Sequence, residues 1–123
     1  MVIPIHSCDA IVITCIDFRF QKYIRDWTDK NLKDKTFDLI GFAGSTKDLD
    51  TIMRQLDVSV RLHKIKEAHL IHHEACGAYG AESTPEKHAE DLRKARERIN
   101  STYPLLEVGL YYLHLDGLFE KVD

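Results

Sequence analysis

Ala10-Ile11-Val12-Ile13-Thr14-Cys15 is a run of β-branched and small side chains with no apolar-polar alternation. A strand with one face in water alternates. An unbroken run fits a strand buried on both faces, at the centre of a parallel sheet. Downstream of it, Phe20, Tyr23, Ile24 and Trp27 recur at helical spacing. Thr36 to Gly41 reads as a second strand, weakened by Asp38. Leu49, Ile52, Met53, Leu56 and Val60 form a helical stripe, with Ser45 or Thr46 as the expected cap. Ala68 to His73 reads as a third strand. Thr84-Pro85 then offers a capping hydroxyl and a proline at the first helical position. That helix should run to about Tyr103, where Pro104 stops it. Val108 to Leu115 reads as a fourth strand. Asp116-Gly117 is a tight-turn signal, and Leu118 to Val122 is expected to pair back as a short edge strand.

This alternation predicts a three-layer α/β/α sandwich with a mostly parallel sheet. With right-handed crossovers the simplest strand order is 2-1-3-4, plus the C-terminal edge strand. The sequence shows no internal repeat, low-complexity segment or linker, and residues 1–123 are expected to form one domain. In such a sheet ligands bind beyond the carboxyl ends of the strands where the winding reverses, here between strands 1 and 3. Strand 1 ends at Cys15, and strand 3 ends at His73, just before Cys76. The topology therefore predicts that these three residues converge.

An apolar fraction of 44% supports a real core, and a formal net charge of −3 argues against a nucleic-acid partner. Arg93, Lys94, Arg96 and Arg98 are interleaved with Glu86, Glu90, Asp91 and Glu97, the pattern of a solvated helix face. No apolar run is long enough to span a bilayer, and no signal peptide is expected from the first residues. Three cysteines, an odd number, suit metal binding or catalysis in a reducing compartment better than disulfides, so a cytoplasmic location is expected.

Two thiolates and an imidazole suit zinc, which favours tetrahedral sulfur and nitrogen donors. Cys15, His73 and Cys76 are the candidate ligands of one zinc ion per chain, with the fourth position left for water or substrate. His73-Glu74-Ala75-Cys76-Gly77 supplies two of them from one tight turn, and Gly77 is expected to let the chain turn sharply after the second sulfur. Neighbouring strand residues face opposite ways, so only one of His72 and His73 can ligate. His72 reads as a packed or solvent-facing histidine. Cys8 reads as a small core side chain, and His6, His63, His69, His88 and His114 carry no spacing signal and read as structural. If the chain stays extended past strand 1, Cys15, Asp17 and Arg19 share a side. Arg19 can then grip Asp17 through a bidentate pair, and the pair could orient a zinc-bound hydroxide. The same pair could be an ordinary ion pair at a strand end, and Asp17 could itself take the fourth zinc position. His72 and Tyr79 are proton-shuttle candidates by proximity only.

These residues resemble the β-class carbonic anhydrases, whose signature is Cys-x-Asp-x-Arg followed by His-x-x-Cys-Gly. The matching positions are Cys15, Asp17 and Arg19, then His73, Cys76 and Gly77. Leu39 to Ser45 looks like that family's Ala-Gly loop after strand 2, and Val108 to Gly117 looks like its late strand and turn. Phe18 stands where the family usually has a small residue. The resemblance implies reversible hydration of carbon dioxide to bicarbonate, with Asp17 and Arg19 as the catalytic pair and Cys15, His73 and Cys76 on zinc. It also implies a homodimer or higher homo-oligomer. Two other activities fit the same residues, a non-catalytic zinc-binding protein and a zinc hydrolase of a small carbon-sulfur substrate.

Overall fold

β1 (Ala10–Thr14) is buried along its whole length, as its unbroken apolar run requires. The computed structural model describes residues 5–123, so the first four residues of the expected 1–123 domain lie outside the described residues. β1 is hydrogen-bonded on one side to β2 (Phe37–Gly41) and on the other to β3 (Glu67–His73), both parallel to it. β4 (Glu107–Leu113) runs parallel to β3, and β5 (Phe119–Val122) returns antiparallel along β4. The sheet order is β2-β1-β3-β4-β5. This is the expected winding, with the chain reversing direction between β1 and β3.

Strand alternation makes the three layers. Ile11 and Ile13 pack with Ile52, Met53 and Leu56 of α2 (Leu49–His63) and with Leu92, Ala95 and Ile99 of α3 (Pro85–Thr102). Val12 faces the other way, onto Phe20 and onto Ile24 of α1 (Gln21–Asn31). β3 follows the same rule: Leu70 joins the first cluster and Ile71 the second. His72 therefore lies on the α2–α3 side and His73 on the α1 side.

The helix starts show where local chemistry is decided by packing. α3 begins as expected, with Thr84 Oγ1 accepting from the Lys87 N–H at 3.1 Å and proline in the first turn. α2 does not: its cap is Asp48, which accepts from the Thr51 N–H, rather than Ser45 or Thr46. Both expected caps are buried and engaged elsewhere. Ser45 Oγ donates to the Ile13 carbonyl, and Thr46 Oγ1 bonds His72 Nε2. Asp38 is tolerated within β2 because Ser59 Oγ and His63 Nδ1 each bond its Oδ2 at 2.6 Å. Among the described residues no helix is long and apolar enough to cross a membrane.

Candidate metal centre

Cys15 directly follows β1, His73 is the last residue of β3, and Cys76 lies three residues beyond it. One ligand atom from each lies within 4.8 Å of the others, and all three residues are buried. The His73 ring is fixed from two directions. Its Nδ1 donates to the Glu74 carbonyl at 2.8 Å, and the Phe20 ring lies 4.2 Å from it, centroid to centroid. With the proton assigned to Nδ1 by that carbonyl, Nε2 presents a lone pair. That Nε2 is buried and, among the described residues, has no hydrogen-bond partner. An orphaned buried polar atom costs roughly 1–3 kcal/mol. A cation held between this nitrogen and the two sulfurs would satisfy it, so the residues fit a borderline-soft divalent metal.

The protein also prepares one of the two sulfurs. Burial pushes the Cys15 thiol up, but the His73 ring and the backbone N–H groups of Gly44 and Asp17 outweigh it and hold the thiol at about 7. The Gly44 N–H reaches Cys15 Sγ at 3.4 Å. Gly44 has φ 83°, and a Cβ there would stand 3.0 Å from Lys47 Cβ, so this donor depends on glycine. Cys76 is pushed up by burial and by its proximity to Cys15. The turn between His73 and Cys76 is made by Ala75, with φ 57°. The chain turns again after Cys76, where the Tyr79 and Gly80 N–H groups donate to the Cys76 carbonyl, and Gly77 in that turn leaves open space, with nothing within 4 Å of where a Cβ would stand.

Behind the sulfurs runs a buried hydrogen-bond chain that no spacing rule announced. The Cys76 N–H donates to Ser83 Oγ at 2.9 Å, and Ser83 Oγ bonds His88 Nε2 at 2.9 Å. His88 Nδ1 meets His72 Nδ1 at 2.8 Å, and His72 Nε2 meets Thr46 Oγ1 at 2.7 Å. Burial depresses His72 to about 3 and His88 to about 4, so both rings are neutral near pH 7. His72 is thus a packed histidine and not a solvent-facing one. His88 is more than a filler: it holds the serine that anchors the backbone of the candidate ligand Cys76. A readable signal existed, because His88 heads the buried stripe His88, Leu92, Ala95 and Ile99 of α3. Tyr79 is buried, donates to Asp91 Oδ2 at 2.6 Å, and is pushed far up by burial and that carboxylate, which argues against proton transfer through it.

Asp17 and Arg19 do come together, but not along an extended chain. Asp17 caps a short 3-10 turn over Phe18–Phe20, and its Oδ1 accepts from the Arg19 N–H at 2.9 Å. Arg19 Nε and Nη2 bond the same carboxylate, the shortest contact being Nη2 to Oδ2 at 2.7 Å. Arg19 Nη2 also donates to the carbonyl of the strained Ala75, at 3.0 Å. The pair therefore clamps the loop after β1 to the turn after β3. Gln21 Nε2 tightens it further by donating to the Cys15 and Asp17 carbonyls. Asp17 Oδ2 lies 3.9 Å from His73 Nε2.

Residues 5–123 match the model of a protein family described as "Putative carbonic anhydrase". The chain belongs to this carbonic anhydrase family. An uncharacterized protein of Rickettsia conorii is 31% identical over 141 aligned positions, covering 96% of this chain and 74% of that one. Among solved structures, the carbonic anhydrase from Glaciozyma antarctica superposes with a TM-score of 0.70 at 17% identity, over 98% of this chain and 85% of its own. One of two tetrameric β-carbonic anhydrases from Sordaria macrospora superposes with a TM-score of 0.58 at 16% identity, over 94% and 81%. At these identities the structural likeness is one of fold.

In this carbonic-anhydrase-like chain the candidate site opens on a cleft of about 540 Å³. Ile16, Phe18, Ala43, Ala75 and Ala78 give it apolar walls, and Asp17 with Arg19 provides its charged feature. Phe18 is 87% exposed and Ile16 61% exposed at this mouth. The arrangement can hold a metal at the floor, keep an ion pair beside it, and admit a small apolar molecule.

Proposed function

We propose that this chain is a zinc-dependent carbonic anhydrase that interconverts carbon dioxide and bicarbonate. The observation that carries the reading is the convergence of a His73 Nε2, unpartnered among the described residues, with two cysteine sulfurs, one of which, on Cys15, lines an apolar cleft. Cys15, His73 and Cys76 would hold the zinc. When bound, that ion supplies Lewis-acid activation of water, whose pKa falls from about 15.7 towards about 7 in such sites. The chain's own residues do the rest. Ile16, Ala43 and Ala78 give linear, apolar carbon dioxide a weakly solvated wall. Arg19 keeps Asp17 turned aside, so that its carboxylate orients the incoming nucleophile. The net reaction is water plus carbon dioxide to bicarbonate and one proton.

Both thiols must stay reduced for this chemistry, which goes with a cytoplasmic setting. We also place the working form as a homodimer or larger homo-oligomer. The support is the pair of exposed apolar side chains, Ile16 and Phe18, beside the cleft, and the tetrameric state of the Sordaria macrospora proteins. Sedimentation of the zinc-loaded protein tests it, and a monomer at every concentration would refute it.

The deciding experiment is stopped-flow hydration of carbon dioxide by the zinc-loaded protein, with Cys76→Ser as the control. Activity well above that of Cys76→Ser is expected. A fully loaded wild type that is inactive at every pH would leave a zinc-binding protein that is not an anhydrase.

A further inference from the structure

The amino-terminal ends of β1 and β2 carry a second set of metal-type donors, at the opposite end of the sheet from Cys15. Cys8 precedes β1, Asp38 is the second residue of β2, and His63 closes α2. One donor atom from each lies within 4.8 Å of the others, and all three residues are half-buried. The cluster is held in place by backbone and side chain together. The Cys8 N–H donates to the His63 carbonyl at 2.9 Å, which ties the chain before β1 to the end of α2. His63 Nδ1 and Ser59 Oγ both bond Asp38 on the same oxygen, Oδ2. The His6 ring lies beside the cluster, 4.7 Å from that of His63, centroid to centroid.

We propose that His6, Cys8, Asp38 and His63 form a second zinc site, structural in kind, which pins the segment before β1 to β2 and α2. Sulfur, carboxylate oxygen and two imidazole nitrogens are tetrahedral zinc donors. One thiolate and one carboxylate together cancel the charge of a divalent ion, so it can sit half-buried without a stray charge. Four protein ligands leave no open position, which distinguishes this site from the three-ligand centre at Cys15. Cys8 and Cys15 stand seven positions apart at opposite ends of β1, roughly 23 Å at the usual strand rise, so the two sites fill independently. Aspartate is also poorly suited to a strand interior, and a metal gives Asp38 a reason to stand there beyond two hydrogen bonds.

The chain has three cysteines, so Cys15→Ser/Cys76→Ser leaves Cys8 as its only thiol. Titrating that variant with cobalt(II) should produce a near-ultraviolet sulfur-to-cobalt charge-transfer band that saturates at one equivalent and is displaced by zinc. Adding Cys8→Ser should abolish the band, and His63→Gln or Asp38→Asn should weaken cobalt binding by about tenfold or more. No band at one equivalent would overturn the proposal. So would a band unchanged by His63→Gln and Asp38→Asn, which would mark a lone thiol picking up metal. Wild-type protein gives a second readout that does not depend on the double variant folding. Alkylation of Cys8, read by mass spectrometry of its peptide, should be blocked with two equivalents of zinc and restored by His63→Gln. Equal alkylation with and without zinc would refute the site.

Discussion

On a Cys8→Ser background, His73→Ala should purify with less than about a tenth of the parent's zinc, whereas His72→Ala should keep its zinc in full. The background removes any contribution from the second cluster, so the metal count reports Cys15, His73 and Cys76 alone. The two histidines are adjacent, yet they lie on opposite faces of β3. His73 offers an unpartnered Nε2 beside two sulfurs. His72 offers none, because both of its ring nitrogens are engaged, by Thr46 and by His88. Losing His73 leaves two thiols and no third ligand. Losing His72 strands buried polar atoms on Thr46 and His88, at roughly 1–3 kcal/mol. The His72→Ala cost should therefore appear as a thermal midpoint lowered by several degrees and not as lost zinc. Elemental analysis and a melting curve on each variant make the check. Zinc lost from His72→Ala and kept by His73→Ala would mean that β3 is facing the wrong way.

The contrast between these neighbours also marks what a sequence can disclose. The central strand, the winding order and the convergence of Cys15 with His73 and Cys76 follow from patterns a few residues long: an unbroken apolar run, helical stripes, and ligand types at strand ends. Those patterns act locally, and the topology then leaves few arrangements. What was not legible depends on partners far apart in the chain. Ser45 and Thr46 have the chemistry of helix caps, but their hydroxyls are claimed by Ile13 and His72. The turn from His73 to Cys76 depends on a left-handed Ala75, a residue type that does not announce one and whose carbonyl Arg19 bonds. His88 lies 15 residues after His73 and joins the metal loop only through Ser83. The cluster of Cys8, Asp38 and His63 draws on three separate elements. Residue types announce such side chains, while only packing decides which of several possible bonds they make.

Arg19→Ala, on the same background, should keep its zinc and lose carbon dioxide hydration by about 100-fold or more. Asp17 explains why the loss is so large. Its two oxygens are not held alike. Oδ1 accepts from Arg19 Nε and from the backbone N–H of residue 19, and the latter survives the substitution. Oδ2 is held at 2.7 Å by Arg19 Nη2, and Oδ2 is the oxygen 3.9 Å from His73 Nε2. Removing the guanidinium therefore frees the one oxygen that already points at the metal site. A carboxylate oxygen is a competent zinc ligand, and it would close the position that water must occupy. Asp17→Ala removes that blocker together with the orienting group, so its loss should be smaller than that of Arg19→Ala. Arg19 should tolerate the change, since its side chain is 42% exposed and keeps the Ala75 carbonyl. The pH dependence separates this from a simple weakening of the fold. The Arg19 side chain, with its N–H, holds Asp17 at about 2, below the usual 3.8. A depressed carboxyl contributes stability in full above 3.8 and loses it as pH falls through about 2. Across roughly pH 5 to 9 the pair itself does not titrate, but hydroxide competes better with a blocking carboxylate as pH rises, so the Arg19→Ala deficit should be largest near pH 5 and narrow towards pH 9. Rate, zinc content and the pH profile measured on both variants test the argument. An Arg19→Ala protein with full activity would reduce the pair to an ordinary ion pair at a strand end. A deficit of constant size across the range would argue against a carboxylate closing the site.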